Sequence, residues 1–227
     1  MKELITPENK DWFYERYAIN SLLREDEEAS QEEQEYDSEY HMLCEFLLRK
    51  RLGVLAYQNE KEAFENIKRG FKHYNEEMEE LADHYADYIY DLMELQEKRT
   101  GEKPTLYTQY ATKCYSAPGS CLAIDAVVVT SNEMVVVFND ATLKEKVVAK
   151  DGEIYSEYGI PALCALREFN VRNRHISLIR FVIYQKRITS RTEAVLSKDE
   201  LLNYETTRIN PSIDYIVSRI KETKGEE

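Results

Sequence analysis

Glycine is scarce in this chain, with 7 among 227 residues, and it forms no nucleotide-binding loop. Neither a paired-cysteine zinc motif nor the Ser-His-Asp order of a serine hydrolase is present. The four cysteines are separated by 70, 7 and 43 residues, which matches no zinc or iron–sulfur spacing (Cys44, Cys114, Cys121 and Cys164). They are predicted to be ordinary reduced thiols, ahead of a metal role or a disulfide.

Long apolar runs are also missing. Runs such as Met134 to Phe138 are far shorter than the roughly 18 residues of a membrane helix, and the start MKELITPENKDW has no apolar signal core. A hydrophobic content of 43% is nevertheless enough to bury a sizeable core, which excludes disorder of the whole chain. These features predict a soluble, cytoplasmic protein.

The net charge of −13 is unevenly distributed. All of the excess acid lies in residues 1–100, and nine acids fall within residues 25–39, which predicts a solvated helix surface or a mobile connector with little order. Residues 101–227 are neutral overall, but residues 167–191 form a basic segment with a single acid, Glu168. Its basic residues are Arg167, Arg172, Arg174, Arg180, Lys186, Arg187 and Arg191.

Helical periodicity dominates the first half. The stretch YHMLCEFLLRKRLG is amphipathic and is predicted to end as a helix at Gly53. From Phe64 to Leu95, apolar residues follow a strict heptad spacing, which predicts one helix over about residues 60–99. Two interpretations remain open: a helical hairpin packed on the core, or a seam that joins two copies in a homodimer.

The second half changes to β-sheet patterns. Residues 105–113, 121–130 and 133–139 are predicted strands, with a tight turn at Ser131-Asn132, and strands at 177–187 and 191–196 follow a helix at about 155–170. Ser197 and Glu200 form a capping box that opens a last helix. The order predicts an α/β (α+β) fold with a mixed central sheet flanked by helices. It also predicts an acidic segment at 1–40, a helical region at 41–103 and a core at 104–227.

Asp125 is the first candidate for chemistry, because it lies in the apolar strand CLAIDAVVV. A buried carboxylate costs several kcal/mol unless it is hydrogen-bonded, paired or bound to a metal. A structural role and a metal or acid–base role both remain open.

The sequence resembles a known nuclease family. The helix ending LRKRLG, the aspartate on a strand, and the strand IYQKR followed by the helix SKDELLNY are similar to phage-encoded RecB-type domains of the PD-(D/E)XK superfamily. The resemblance spans about residues 38–215. It implies a restriction-endonuclease-like core and, in active members, Mg²⁺ or Mn²⁺.

The motif residues of that family are only partly present. His41 and Asp125 match the family's histidine and first aspartate, but Met42 replaces the glutamate beside the histidine. Asn139 and Ala141 replace the acid and lysine of the Asp-x-Lys motif. Glu157 and Pro161 replace the Gln and Tyr of the next helix, and Lys186 replaces the usual proline of IYQKR.

Loss of the acid and the lysine predicts an inactive nuclease fold without a bound cofactor. Asn139 is a poor Mg²⁺ ligand, and Ala141 has no ammonium group to position water. In the alternative, a shifted register lets Asp140 bind the metal while Lys144 or Lys146 supplies the ammonium group.

A nuclease fold that has lost its catalytic residues is normally used for binding. Six acids form what we call the acidic stripe, at helical spacing beside the heptad residues (Glu76, Glu80, Asp83, Asp87, Asp91 and Glu94). A solvated helix face explains such a stripe equally well. With the degenerate motifs, it predicts an acidic anti-defence inhibitor that mimics nucleic acid and binds a basic nucleic-acid-binding protein such as a CRISPR effector.

Two alternatives use the basic segment to hold DNA phosphates. One is a metal-dependent DNA exonuclease of a phage recombination module, with Asp125 and His41 in its site. The other is the non-catalytic DNA-binding accessory subunit of such a module.

Overall fold

The computed structural model describes residues 30–54, 59–113, 121–139, 156–171, 175–185 and 190–210. Three helices precede three strands, and a helix, two strands and a short helix follow. The elements are α1 Gln31–Arg51, α2 Glu60–Gly70, α3 Glu76–Thr100, β1 Thr105–Lys113, β2 Cys121–Val129, β3 Glu133–Asn139, α4 Ser156–Val171, β4 Leu178–Gln185, β5 Ser190–Ser197 and α5 Lys198–Tyr204, which continues into a π-helical turn at Glu205–Ile209. None of these helices is long and apolar enough to cross a membrane.

The five strands form one mixed sheet in the order β1-β2-β3-β4-β5. Neighbouring strands are antiparallel except β3 and β4, which are parallel because the chain returns through α4 between them. The Ser131-Asn132 turn joins β2 to β3, and the Thr130 N–H donates a hydrogen bond of 2.9 Å to the Glu133 carbonyl across it. The predicted α+β class, mixed sheet and hairpin are all confirmed.

Each face of the sheet is covered by helices. On one face, Met134, Val136 and Phe138 of β3 pack with α4 and α5. On the other face, Val135 and Val137 pack with α1 and α3. Alternate residues of β3 therefore enter two different cores, which explains why this strand is an almost continuous apolar run.

The prediction of one helix over residues 60–99 is wrong. Helix α2 ends at Gly70, and α3 begins at Glu76 after the N-cap Asn75, whose side chain accepts a hydrogen bond of 2.8 Å from the Met78 N–H. Glu39 of α1 accepts hydrogen bonds from the backbone N–H groups of Lys72 (2.7 Å) and His73 (2.8 Å). The heptad spacing continues across the break, but these polar caps stabilise the interruption.

Replacing Glu39 with alanine tests this explanation of the break. Two backbone N–H groups would lose a charged acceptor, so we expect the free energy of unfolding to fall by about 1.5 kcal/mol. Urea denaturation measures the change, and Glu97→Gln, an exposed acid on α3, is the matched control with no expected effect. Equal stability of the two variants would contradict the proposed role of Glu39.

The heptad residues pack inside the same chain. Met78, Leu81, Tyr85 and Leu92 are buried against α1 and the sheet, as the hairpin interpretation requires. A homodimer through this helix stays a prediction.

Residues 31–40, for which the sequence predicts little order, form the first part of α1 after the N-cap Ser30. The three-part division of the chain also stays a prediction.

Candidate functional site

His41 and Asp125 lie together although 84 positions separate them in the sequence. His41 is on α1 and Asp125 is on β2, and the His41 Nδ1 atom lies 3.0 Å from the Asp125 Oδ1 atom. The Nε2 atom of the same ring lies 3.4 Å from the Asp37 Oδ1 atom, one turn earlier on α1. The side chains of His41 and Asp125 are 21% and 18% exposed, so this pair is half-buried at the edge of the core.

His41 carries a positive charge in this setting. Burial by itself would lower its pKa, but the contacts with the carboxylates of Asp125 and Asp37 outweigh burial and raise the pKa from 6.5 to about 10. The ring is therefore protonated at neutral pH and acts as the counter-ion of Asp125.

Asn139, the last residue of β3, connects this pair to the core. Its backbone N–H donates a hydrogen bond of 2.8 Å to the Asp125 Oδ2 atom. Its side-chain oxygen accepts a hydrogen bond of 3.1 Å from the Tyr40 hydroxyl, and its Nδ2 atom lies 3.5 Å from the Cys44 sulfur. Both ends of the Asn139 amide are thus engaged by α1.

Gln109 approaches the pair from the opposite side. It has a φ of +46°, a left-handed conformation that costs a non-glycine residue about 1–2 kcal/mol. Its Nε2 atom donates a hydrogen bond of 3.2 Å to the Asp125 Oδ1 atom. Backbone strain opposite a half-buried carboxylate is typical of functional sites.

Four residues, one on each of the consecutive strands β2 to β5, form a row across the sheet that begins at Asp125. Asp125 binds the backbone of Asn139, Asn139 is in register with Tyr184 of β4, and Tyr184 is in register with Arg191 of β5. We call these residues the strand-end row. All four side chains contact residues of α1 or α3, so they share one face of the sheet. The row lies at the carboxyl ends of the parallel strands β3 and β4, where open α/β sheets usually bind ligands.

The described residues do not fit the divalent metal that the nuclease resemblance implies. Mg²⁺ and Mn²⁺ prefer several oxygen ligands. The oxygens of Asp125 already contact His41, Gln109 and the Asn139 backbone, and the Asn139 oxygen is bound by Tyr40. Within the described ranges, no three His, Cys, Asp or Glu side chains converge to hold a metal.

The acidic stripe is partly neutralised within the chain. Arg51 at the end of α1 forms ion pairs with Asp83 and Asp87. Glu94 lies 3.3 Å from Lys98, and Glu80 lies 3.6 Å from His84. Glu76 and Asp91 are exposed on α3 with them. The predicted use of the stripe as a partner-binding surface stays a prediction.

The basic segment is divided between several places. Arg167 on α4 pairs with Glu205, and Arg180 on β4 pairs with Glu133 and Glu193, so neither lies at the His41–Asp125 pair. Arg191 belongs to the strand-end row. The other four predicted DNA contacts lie outside the described residues (Arg172, Arg174, Lys186 and Arg187).

The remaining positions of the nuclease motif and of the shifted-register alternative lie in several places, some of them outside the described residues. Met42 is 51% exposed and turns away from the core. Pro161 is buried within α4. Glu157 lies in the first turn of α4, and its side chain is outside the description. Ala141 and the alternative residues Asp140, Lys144 and Lys146 also lie outside the described residues.

Sequence reasoning missed four residues around the site. Tyr40 and Cys44 share one face of α1 at i, i+4 spacing, and this spacing was a usable signal. Gln109 and Tyr184 come from strands whose register the sequence does not reveal.

Of the comparisons with known proteins, a family model matches most of the chain. No curated protein matches it. One solved structure with similarity is the crystal structure of an alkaline exonuclease (LHK-Exo) from Laribacter hongkongensis, at 12% identity and a TM-score of 0.33, covering 82% of this chain and 96% of that chain. The family model described as "Protein of unknown function (DUF2800)" matches residues 19–225. The chain therefore belongs to the DUF2800 family.

Proposed function

We propose that this chain is a DNA-binding protein with a nuclease-type core that binds DNA at the exposed Arg191 end of the strand-end row without metal-dependent cleavage. The observation that carries the proposal is the arrangement of His41, Asp125 and Asn139. Two of these residues match the nuclease motif and lie in contact, while the third replaces a metal-binding acid.

The lack of cleavage follows from charge. In a metal-dependent nuclease, a divalent cation neutralises several carboxylates and activates the attacking water. Here one carboxylate, Asp125, is paired with the protonated His41, whose pKa is raised to about 10 by Asp125 and Asp37 against the opposing effect of burial. The imidazolium is the counter-ion of Asp125, and an imidazolium cannot act as a Lewis acid.

Binding of DNA is supported by the position of the row. It lies where parallel strands end, and Arg191 closes it on β5. Because arginine neutralises phosphates, the exposed Arg191 makes this end of the sheet suited to a nucleic-acid backbone.

Fluorescence anisotropy with labelled single- and double-stranded DNA tests the proposal. We expect binding that weakens steeply with salt, because phosphate contacts release counterions. Cleavage is measured in parallel with Mg²⁺ and Mn²⁺, using the wild type, Asp125→Ala and the exposed control Asp199→Ala. Cleavage that Asp125→Ala abolishes would replace the proposal with an active nuclease, and absence of both binding and cleavage would overturn both.

The acidic inhibitor of a basic protein is the competing proposal. The observation that favours it is exposure, since the Glu80 side chain is 74% exposed and Glu94 is 48% exposed. Internal pairing of Asp83 and Asp87 with Arg51 reduces the charge available to a partner. Charge reversal of Glu76, Glu80 and Glu94 should abolish capture of a CRISPR effector or similar basic protein while leaving DNA binding intact. Unchanged capture would exclude the stripe as the binding surface.

A further inference from the structure

We infer that Tyr88, Tyr184 and Arg191 form a subsite for one unpaired nucleotide, in which a base stacks on the tyrosine platform and a phosphate contacts the arginine. The inference rests on the proposed function and adds the kind of strand that is bound, namely single-stranded DNA.

The tyrosine platform lies at the β4–β5 end of the strand-end row. The Tyr88 ring of α3 stacks on the Tyr184 ring of β4, with 4.8 Å between centroids and 22° between planes. The buried Tyr85 ring supports Tyr184 from the side at 5.7 Å. Tyr184 is nearly buried and Tyr88 is half-buried, so Tyr88 is the ring at which this stack meets the surface.

Arg191 lies over the Tyr88 ring of the platform. Its guanidinium carbon is 5.6 Å from the Tyr88 ring centroid, within the range of a cation–π contact. Its side chain is 55% exposed. Glu193 pairs with the Nε atom at 2.7 Å, and the guanidinium carries four further N–H groups on its terminal nitrogens. Those groups match the fork geometry that binds a phosphate.

Arg191 is also the end of a chain of ion pairs with excess positive charge. Glu133 pairs with Arg99 and Arg180, and Glu193 pairs with Arg180 and Arg191. Three arginines thus share two glutamates, which leaves one net positive charge in the network. Arg191 is the more exposed of the two arginines that Glu193 pairs with, and this exposure favours an anion there.

The ligand class follows from combining an aromatic face with a cation. A base inside a duplex is already stacked, whereas an unpaired base can stack on a protein ring.

A purely structural role for the rings is the main alternative, and Tyr88→Leu distinguishes the two. Affinity is measured for an oligo(dT) strand and for an abasic oligodeoxynucleotide of equal length. We expect about a 10-fold loss on oligo(dT) and little change on the abasic strand, because only the former has bases to stack. Tyr88→Phe is the matched control that keeps the ring, and it should bind both strands as the wild type does.

Arg191→Gln tests the phosphate contact independently. It should weaken binding to both strands and reduce the slope of log affinity against log salt by about 0.7, the value for one phosphate contact on a single strand. Thermal unfolding of each variant separates lost contacts from lost stability.

Each outcome has a distinct meaning. If Tyr88→Leu lowers the affinity for both strands equally, or binds oligo(dT) with wild-type affinity, the stacking subsite is overturned while the proposed function stands. An unchanged salt slope in Arg191→Gln would overturn the phosphate contact. Failure of the wild type to bind either strand would overturn the proposed function itself.

Discussion

Replacement of Phe169 with alanine should reduce the free energy of unfolding by about 4 kcal/mol, the cost typical of removing a fully buried aromatic side chain. Phe169 on α4 is completely buried. Its ring stacks on Tyr110 at 5.2 Å and contacts Tyr107 at 5.1 Å, both on β1. The substitution would leave a cavity between α4 and the sheet, and the two tyrosine rings could not both collapse into it because β1 constrains them.

Urea denaturation measures this loss, and Phe169→Leu is the matched control. Leucine keeps most of the apolar volume, so we expect a loss of roughly 1–2 kcal/mol and an unchanged dependence on urea. A loss below about 1 kcal/mol for Phe169→Ala would mean that α4 does not depend on this cluster for its position.

Local sequence signals were sufficient for most of the fold. The strands at 105–113 and 133–139 have the predicted bounds, and the capping box of Ser197 and Glu200 opens α5. These signals act within a few residues. The break before α3 depends on Glu39, which is more than 30 residues away and binds the backbone of the turn. Apolar periodicity carries no information about such a long-range cap.

Only part of the candidate site can be predicted from the sequence. The resemblance selected His41 and Asp125, and the structure brings them into contact. The roles of Tyr88 and Tyr184 depend on how α3 lies across β4, because a tyrosine at a heptad position reads simply as core. The sequence predicts Arg191 as one of seven basic residues that hold DNA. Only the β4–β5 register shows that Arg191, and not Arg180, lies opposite Tyr184.

The stability of the protein is expected to fall at alkaline pH because of His41. Its pKa is 6.5 when unperturbed and about 10 in the folded chain, where the carboxylates of Asp125 and Asp37 overcome the effect of burial. Below pH 6.5 the ring is protonated in both states, so the ion pair contributes fully. Above that pH the unfolded chain releases the proton first, and the contribution is lost by the time the pH passes about 10.

Urea denaturation at several pH values, compared between the wild type and His41→Gln, isolates this contribution. One proton could contribute up to roughly 1.4 kcal/mol per pH unit, and partial exposure reduces that, so we expect an extra loss of about 2 kcal/mol in the wild type between about pH 7 and pH 10. Asp125→Asn should remove most of the difference, whereas Asp37→Asn should remove little because Asp37 is 43% exposed. Parallel curves for the wild type and His41→Gln would show that His41 is not the cation that balances Asp125.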